Sequence, residues 1–240
     1  MSYRLLTEFA GLFKGKRYLH RDSSRGDFVA MHLYEDLYNI GKSEKLCKHV
    51  DSTEWVLSQA NKALGIKARR GDGTFGELVP GETAIFDAGY EVGRGIVATI
   101  EIGVEVKIIA KAMIKQIDRV TGDLQKQVAN FAERSGARPP IAIAIVGINQ
   151  AEYAVGYEGE KEPTKTDGKK HKHPFQEAKE AERRLVDAEQ KKRHYEEIIF
   201  LRYSATNDEP YAFSWQNQHE TEQQYGAALL RICREYEKRF

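Results

Sequence analysis

Several familiar features are scarce or missing in this sequence. Its 240 residues include two cysteines, Cys47 and Cys233, far apart and without a CxxC neighbour. They read as reduced thiols of a cytoplasmic protein, with a disulfide between them as the alternative. No apolar run approaches the roughly 20 residues that span a bilayer, so no membrane partner is expected. The stretch MSYRLLTEFAGLFKGKRY has no sustained apolar segment of the secretory type. Neither sign of charge dominates: 37 Lys and Arg stand against 36 Asp and Glu, for a formal net charge of +1. No global field draws the chain to a polyanion, so any polyanion site must be local. There is no internal repeat and no Ser-His-Asp or Cys-His signature. The glycine-rich GDGTFGELVPGE lacks the Lys-Ser/Thr ending of a phosphate loop. What the chain does have is 41% hydrophobic residues, ample for a sizeable core, and 30% charged residues for a very polar surface.

In order, the sequence opens with a short amphipathic piece, Tyr3 to Phe13, and a basic stretch from Lys14 to Arg25. Phe28, Met31, Leu33, Tyr34, Leu37 and Tyr38 then sit at helical spacings, and Gly41 ends that helix. Lys42–Val50 reads as a turn, followed by a helix over Ser52–Leu64 with Asp51 and Ser52 as caps. Residues 65–82 have loop composition with room for a short strand. Thr83–Asp87 reads as a short strand ending on an acid, and Ala88–Gly95 as a turn-rich connection. A long strand over Ile96–Ile109, a basic Lys111–Gln116, a helix over Asp123–Arg134 and a buried strand over Ile141–Ile148 complete a core within residues 1–155. The implied fold is α/β, a central mixed sheet flanked by helices, with a mainly helical C-terminal part. Residues 156–174 read as a mobile charged loop with almost nothing to bury. Residues 175–240 read as helix, strand and helix packed on the core. The first of these helices, to about Tyr195, has so thin an apolar stripe that it is either solvated or packed on one narrow seam.

The chemistry concentrates in the long strand. From Val97 onward it alternates, with Ile100, Ile102, Val104, Val106 and Ile108 on one face and Thr99, Glu101, Gly103, Glu105 and Lys107 on the other. Two carboxylates on neighbouring strands can bind one hard divalent cation through oxygen. Such a cation polarises a phosphoryl oxygen and activates water. Lys107, two residues past Glu105, shares its face and can position that water or neutralise developing charge. The plain alternative is a solvated strand face with a cross-strand ion pair. Glu101 is then an extra ligand or a surface residue. A strand covered on both faces, however, has to pair its charges or bind metal with them.

An acid ending one strand, Glu105-Val106-Lys107 in the middle of the next, a helix and an apolar strand together resemble the PD-(D/E)XK nuclease superfamily, to which restriction endonucleases belong. The resemblance covers roughly residues 25–150. It assigns Asp87, 18 positions before Glu105, as the upstream acid. No proline precedes it, and Glu91 is a competing acid. The resemblance also suggests Glu35 as a supporting ligand on the N-terminal helix, where the alternative is a capping or surface carboxylate. Gln125 and Lys126 become candidate polar residues on the following helix.

It implies a restriction- or defence-type endonuclease that hydrolyses double-stranded DNA with Mg2+ or Mn2+. Asp87, Glu105 and Glu35 would hold the metal, and Asp87, Glu105 and Lys107 would be catalytic. A homodimer would cut both strands. Lys67, Arg69, Arg70, Lys169, Lys170 and Lys172 are the expected backbone contacts, drawn from clusters with positive excess. His171 and His173 lack further ligands at a standard zinc spacing. The reading from another class is a non-catalytic interaction subunit of a defence or DNA-processing complex.

Overall fold

The computed structural model describes all residues except 1, 20, 21, 23, 59–71, 159–160 and 193. Its elements run α1 (Arg4–Gly11), α2 (Ser24–Asn39), α3 (Glu44–Ser52), β1 (Trp55–Ser58), β2 (Gly73–Leu78), β3 (Arg94–Gly95), β4 (Val97–Ile109), α4 (Met113–Ala132), β5 (Ile141–Asn149), β6 (Val155–Gly156), β7 (Thr164–Lys165), α5 (Pro174–Lys192), β8 (Glu197–Ala205), β9 (Phe213–Trp215) and α6 (Gln218–Arg239). Seven of the strands form one mixed sheet in the order β3-β1-β2-β4-β5-β8-β9. The long alternating strand is therefore its middle member. β2 runs antiparallel to β4, whereas β5 and β8 continue parallel through crossover helices. The expected α/β class with a mixed central sheet is what forms. The C-terminal part is integral to it, because β8 extends the same sheet.

Helices cover both faces. On one, α1, α2, α3 and α6 pack over Ile102, Val104, Val106 and the same side of β5 and β8. On the other, α4 and α5 pack over Ile109, Ala144, Val146 and Ile148. All nine residues of β5 are buried, as expected for a parallel strand with both faces covered. The thin stripe of α5 does lie on a seam: Ala178, Ala181 and Leu185 are buried against α4 and β5.

Four local readings change. Lys42–Val50 is helical rather than a turn: Ser43 caps α3 by accepting from Leu46 N at 3.2 Å, and Leu46 and Val50, four apart, face the core. Thr53 ends that helix in the left-handed region (φ 61°), and Trp55-Val56-Leu57 enters the sheet where the helix over Ser52–Leu64 was expected; residues 59–64 of that stretch lie outside the described residues. Thr83–Asp87 forms no strand, only a single bridge from Ile85 to Arg94. The basic Lys111–Gln116 stretch is where α4 begins, ten residues before the expected Asp123, with Met113 and Ile117 buried below it. The Glu177 carboxylate accepts from Met113 N at 2.8 Å and caps that end.

The segment 156–174, read as a mobile charged loop, carries a short ribbon among its described residues. Thr164–Lys165 pairs with Val155–Gly156, and the buried Thr166 exchanges hydrogen bonds with Ala154 N and O at 3.1 Å. The ribbon is thus tied to the carboxyl-terminal end of the parallel strands. Asn149 fixes that end. Its amide donates to Ala110 O (3.2 Å) and Ala205 O (2.8 Å) and accepts from Ala151 N (3.1 Å) and Ala205 N (3.0 Å). All four hydrogen-bonding positions of one buried side chain are used to hold β4, β5 and β8 in register.

Candidate active site

The alternation of β4 contains a bulge. Phe75 of β2 stands opposite Ile102, yet the next residue, Gly76, stands opposite Ile100. Gly76 is needed there, since a Cβ would lie 1.8 Å from Thr99 O. The extra residue is Glu101. It turns away from Glu105 to the α6 face, accepts from the Tyr236 hydroxyl, and lies 3.6 Å from His49 Nδ1. Glu101 is therefore neither an extra ligand nor a surface residue. It is buried in a structural network.

Past the bulge the alternation resumes. Gly103 faces Phe131 of α4, and Glu105, Lys107 and Ile109 follow on that face. The β2–β4 ladder ends at the pair Gly73 and Val104, while β4 runs on to Ile109. Val106 N consequently has no strand partner on that side. The Asp72 carboxylate fills the gap, accepting from Val106 N through Oδ2 at 2.7 Å. From the other direction α2 presses Gly26 against Asp72; a Cβ on Gly26 would come 2.3 Å from Oδ1. The head of β2 thus delivers an acid to the side of Glu105-Val106-Lys107.

Glu105 is buried. One oxygen pairs with Lys107, and the other, Oε2, is buried without a hydrogen-bond partner. Burial, then the charge of Asp72 and more weakly that of Asp123 on α4, push its carboxyl up to about 7, against the opposing pull of Lys107. The Tyr195 hydroxyl, which donates to Leu124 O at 2.8 Å, feels Glu105 and Asp72 and is raised first of all by burial. Two acids side by side, one with an orphaned oxygen, fit a divalent cation better than they fit each other. Among the described residues no three or more His, Cys, Asp or Glu gather around one point. A Mg2+ ion held by one or two carboxylates, with water and substrate phosphate completing its shell, needs no such cluster.

Lys107 stands between two clefts. One, of about 200 Å³, is walled by Arg25, Gly26 and Asp72; the other, of about 590 Å³, by Lys111, Arg119 and Thr164. Both share Lys107, Ile108 and Ala110. They open at the carboxyl-terminal end of β4, the end at which parallel α/β sheets bind ligands.

The other expected site residues lie elsewhere. Asp87 is paired with Arg94 of β3, at the sheet edge. Three strand spacings separate β3 from β4, or roughly 14 Å. The 83–93 arm folds over that edge and never enters the sheet, so its acid cannot reach Glu105. Glu35 is wholly buried, but it accepts from Glu91 N (3.1 and 3.2 Å) and Val92 N (2.9 Å) and holds this same arm. It is an anchor rather than a supporting ligand. Glu91, the competing acid, contributes its backbone to that anchor.

Lys67, Arg69 and Arg70 fall outside the described residues. Lys169, Lys170 and Lys172 are exposed on the turn before α5 and line neither cleft beside Lys107. On α4, Gln125 is half-buried and Lys126 exposed, while Asp123 is the residue that acts on Glu105. Cys47 and Cys233 are free thiols. No helix among the described residues is long and apolar enough to cross a membrane. No protein family, no curated protein and no solved structure matches the chain.

Proposed function

We propose that this chain is a divalent-metal-dependent nuclease that hydrolyses phosphodiester bonds of double-stranded DNA. The observation that carries the reading is the buried, unpartnered Oε2 of Glu105 beside the Asp72 carboxylate, with Lys107 on the same strand face. The order of parts supports it: an acid at the head of β2, Glu-Val-Lys on the antiparallel neighbour β4, then helix α4, then the apolar β5. That is the order of a PD-(D/E)XK core, with Asp72 in the role that the sequence resemblance gave to Asp87.

Asp72 and Glu105 would hold the Mg2+ or Mn2+ ion, which when bound supplies Lewis-acid polarisation of the phosphate and lowers the pKa of water. Lys107, drawn against Glu105, holds a positive charge where water and phosphate would meet, and orients the one toward the other. The half-burial of Lys107 limits competing solvent around that charge. Cutting both strands of a duplex asks for two such sites, so a two-fold homodimer belongs to the proposal.

The test is cleavage of mixed plasmid and phage DNA in Mg2+ or Mn2+ and in EDTA. Metal-dependent cutting is expected for the wild type and for Asp87→Ala, and its loss for Asp72→Ala and Lys107→Ala. Cutting that survives in the last two variants refutes the site. A folded protein that cuts nothing and gains no stability from metal refutes the enzyme and leaves the interaction subunit.

A further inference from the structure

The two clefts flanking Lys107 differ in how their cations are held, and the difference bears on how a nucleic acid would lie. In the smaller cleft the cation is Arg25, at the start of α2. Its guanidinium sits 5.1 Å from the Tyr18 ring centre and 5.9 Å from that of Phe13. Both distances suit a cation held against aromatic faces. Its one ion pair among the described residues is with Asp22, at 3.6 Å, a long contact to a carboxylate more than a third exposed. Arg25 itself is largely removed from water, with a side chain only 11% exposed. A desolvated guanidinium with one loose partner has donors left for an anion. Its position is built in, because the neighbouring Gly26 is pressed against the Asp72 carboxylate.

In the larger cleft the free cation is Arg119. It is exposed on α4, two turns into the helix, and enters no ion pair among the described residues. Lys107 borders both clefts, so Arg25, Lys107 and Arg119 lie along one path, with Lys111 also in the wall of the larger cleft. Asp72 and Glu105 lie beside the middle of that path.

We infer that this path is the track of one nucleic-acid strand, with Arg25 and Arg119 binding the backbone phosphates on either side of the bond to be cut. The inference rests on the nuclease reading and adds the substrate-binding residues to it. A run of phosphates needs separate cations at intervals rather than one basic patch. Clefts of about 200 and 590 Å³ accommodate a strand's backbone and not a duplex cross-section, so the second strand would remain outside them. Local cations of this kind also explain how a chain of net charge +1 can engage a polyanion.

The experiment is fluorescence anisotropy of a labelled 20-mer, as single strand and as duplex, in EDTA to prevent cleavage, across about 50 to 200 mM salt. Wild type, Arg25→Ala, Arg25→Lys, Arg119→Ala and the double alanine variant are compared, each checked for folding by thermal denaturation. Each alanine substitution is expected to weaken binding and to lower the slope of log K against log salt by about 0.7 on single strand or 0.9 on duplex, with the double variant showing both losses. Arg25→Lys keeps the charge and so the slope, but loses affinity with the planar fork. Because Arg119 is exposed, its variant remains informative even where Arg25→Ala unfolds. Wild-type slopes in folded Arg25→Ala and Arg119→Ala, beside a wild type that binds and cuts, overturn this inference alone. A wild type that binds neither probe overturns the nuclease reading with it.

Discussion

Replacing Glu105 with Gln should make the metal-free protein more stable, and only at neutral to alkaline pH. The folded state pushes the Glu105 carboxyl from an ordinary 4.5 up to about 7, chiefly by burial and then by Asp72. Below pH 4.5 both folded and unfolded chains carry the proton, and the site costs nothing. Between 4.5 and 7 the unfolded chain releases its proton while the folded chain retains it, so stability falls as pH rises. Above 7 the cost is complete. A shift of this size corresponds to roughly 3 kcal/mol at 1.36 kcal/mol per unit. Gln carries no charge at any of these pH values and escapes it. Lys107, partly exposed, can turn to water when its partner is neutral.

For a chain of this length, roughly 3 kcal/mol is about 6–12 °C in Tm. Thermal denaturation in EDTA at pH 5 and pH 8 reads it directly: near-coincident curves at pH 5, and a higher Tm for Glu105→Gln at pH 8. Mg2+ should then stabilise the wild type at pH 8, by about 2.7 kcal/mol at a hundred times its Kd, and leave the variant behind. A variant that is destabilised at pH 8, or equally stabilised at both pH values, refutes the assignment of a strained, half-satisfied carboxylate.

Three further substitutions separate scaffold from site. Glu35→Ala strands the buried amide of Val92 and the part-buried amide of Glu91 and should cost roughly 2–4 kcal/mol by urea denaturation. The increment gained from Mg2+ should be unchanged, which a ligand role for Glu35 would not allow. Gly26→Ala drives a Cβ into the Asp72 carboxylate and should cost about 1–3 kcal/mol, with a fall in DNA cleavage larger than that stability loss explains. Asn149→Ala leaves unpaired the carbonyls and amides it joins across β4, β5 and β8, and should cost roughly 3–5 kcal/mol, seen as accelerated hydrogen exchange at Ala151 and Ala205, whose amides it accepts from.

The middle of the fold was legible because its signals are local. Period two marks β4, an unbroken apolar run marks β5, and helical spacing marks α2. Glu105 and Lys107 follow from the same alternation. Asp72 did not follow, because its role depends on where an antiparallel neighbour stops. It lies 33 residues before Glu105, ahead of a strand hidden in glycine-rich sequence, and only the end of the ladder at Gly73 and Val104 brings it to Val106 N. The one signal available was an acid directly before the G-T-F-G-E-L-V stretch. Asp87 looked better because it ends an apolar segment, yet that segment pairs with Arg94 at the sheet edge. Arg25 was visible as part of a basic stretch, but nothing in the sequence told it from its neighbours. Its difference lies in the Tyr18 and Phe13 rings and the contact of Gly26 with Asp72.

One register shift decides what two carboxylates on the same strand do. A strict period of two would place Glu101 on the side of Glu105, facing α4, which carries Asp123. The bulge at Gly76 sends Glu101 to the opposite face, where the Tyr236 hydroxyl donates to it and His49 lies 3.6 Å away. Four residues later Glu105 receives Lys107 on one oxygen and nothing on the other. The same strand therefore satisfies one buried carboxylate and leaves the next half-satisfied, which concentrates its electrostatic cost beside Lys107. The two acids should respond to the same substitution with opposite signs. Glu101→Gln weakens a charge-assisted hydrogen bond to Tyr236 and should lower stability by about 1–3 kcal/mol at pH 8, whereas Glu105→Gln should raise it. Urea denaturation of both variants in EDTA measures the contrast, and shifts of the same sign would mean that the two carboxylates are held alike and that nothing sets Glu105 apart for a cation.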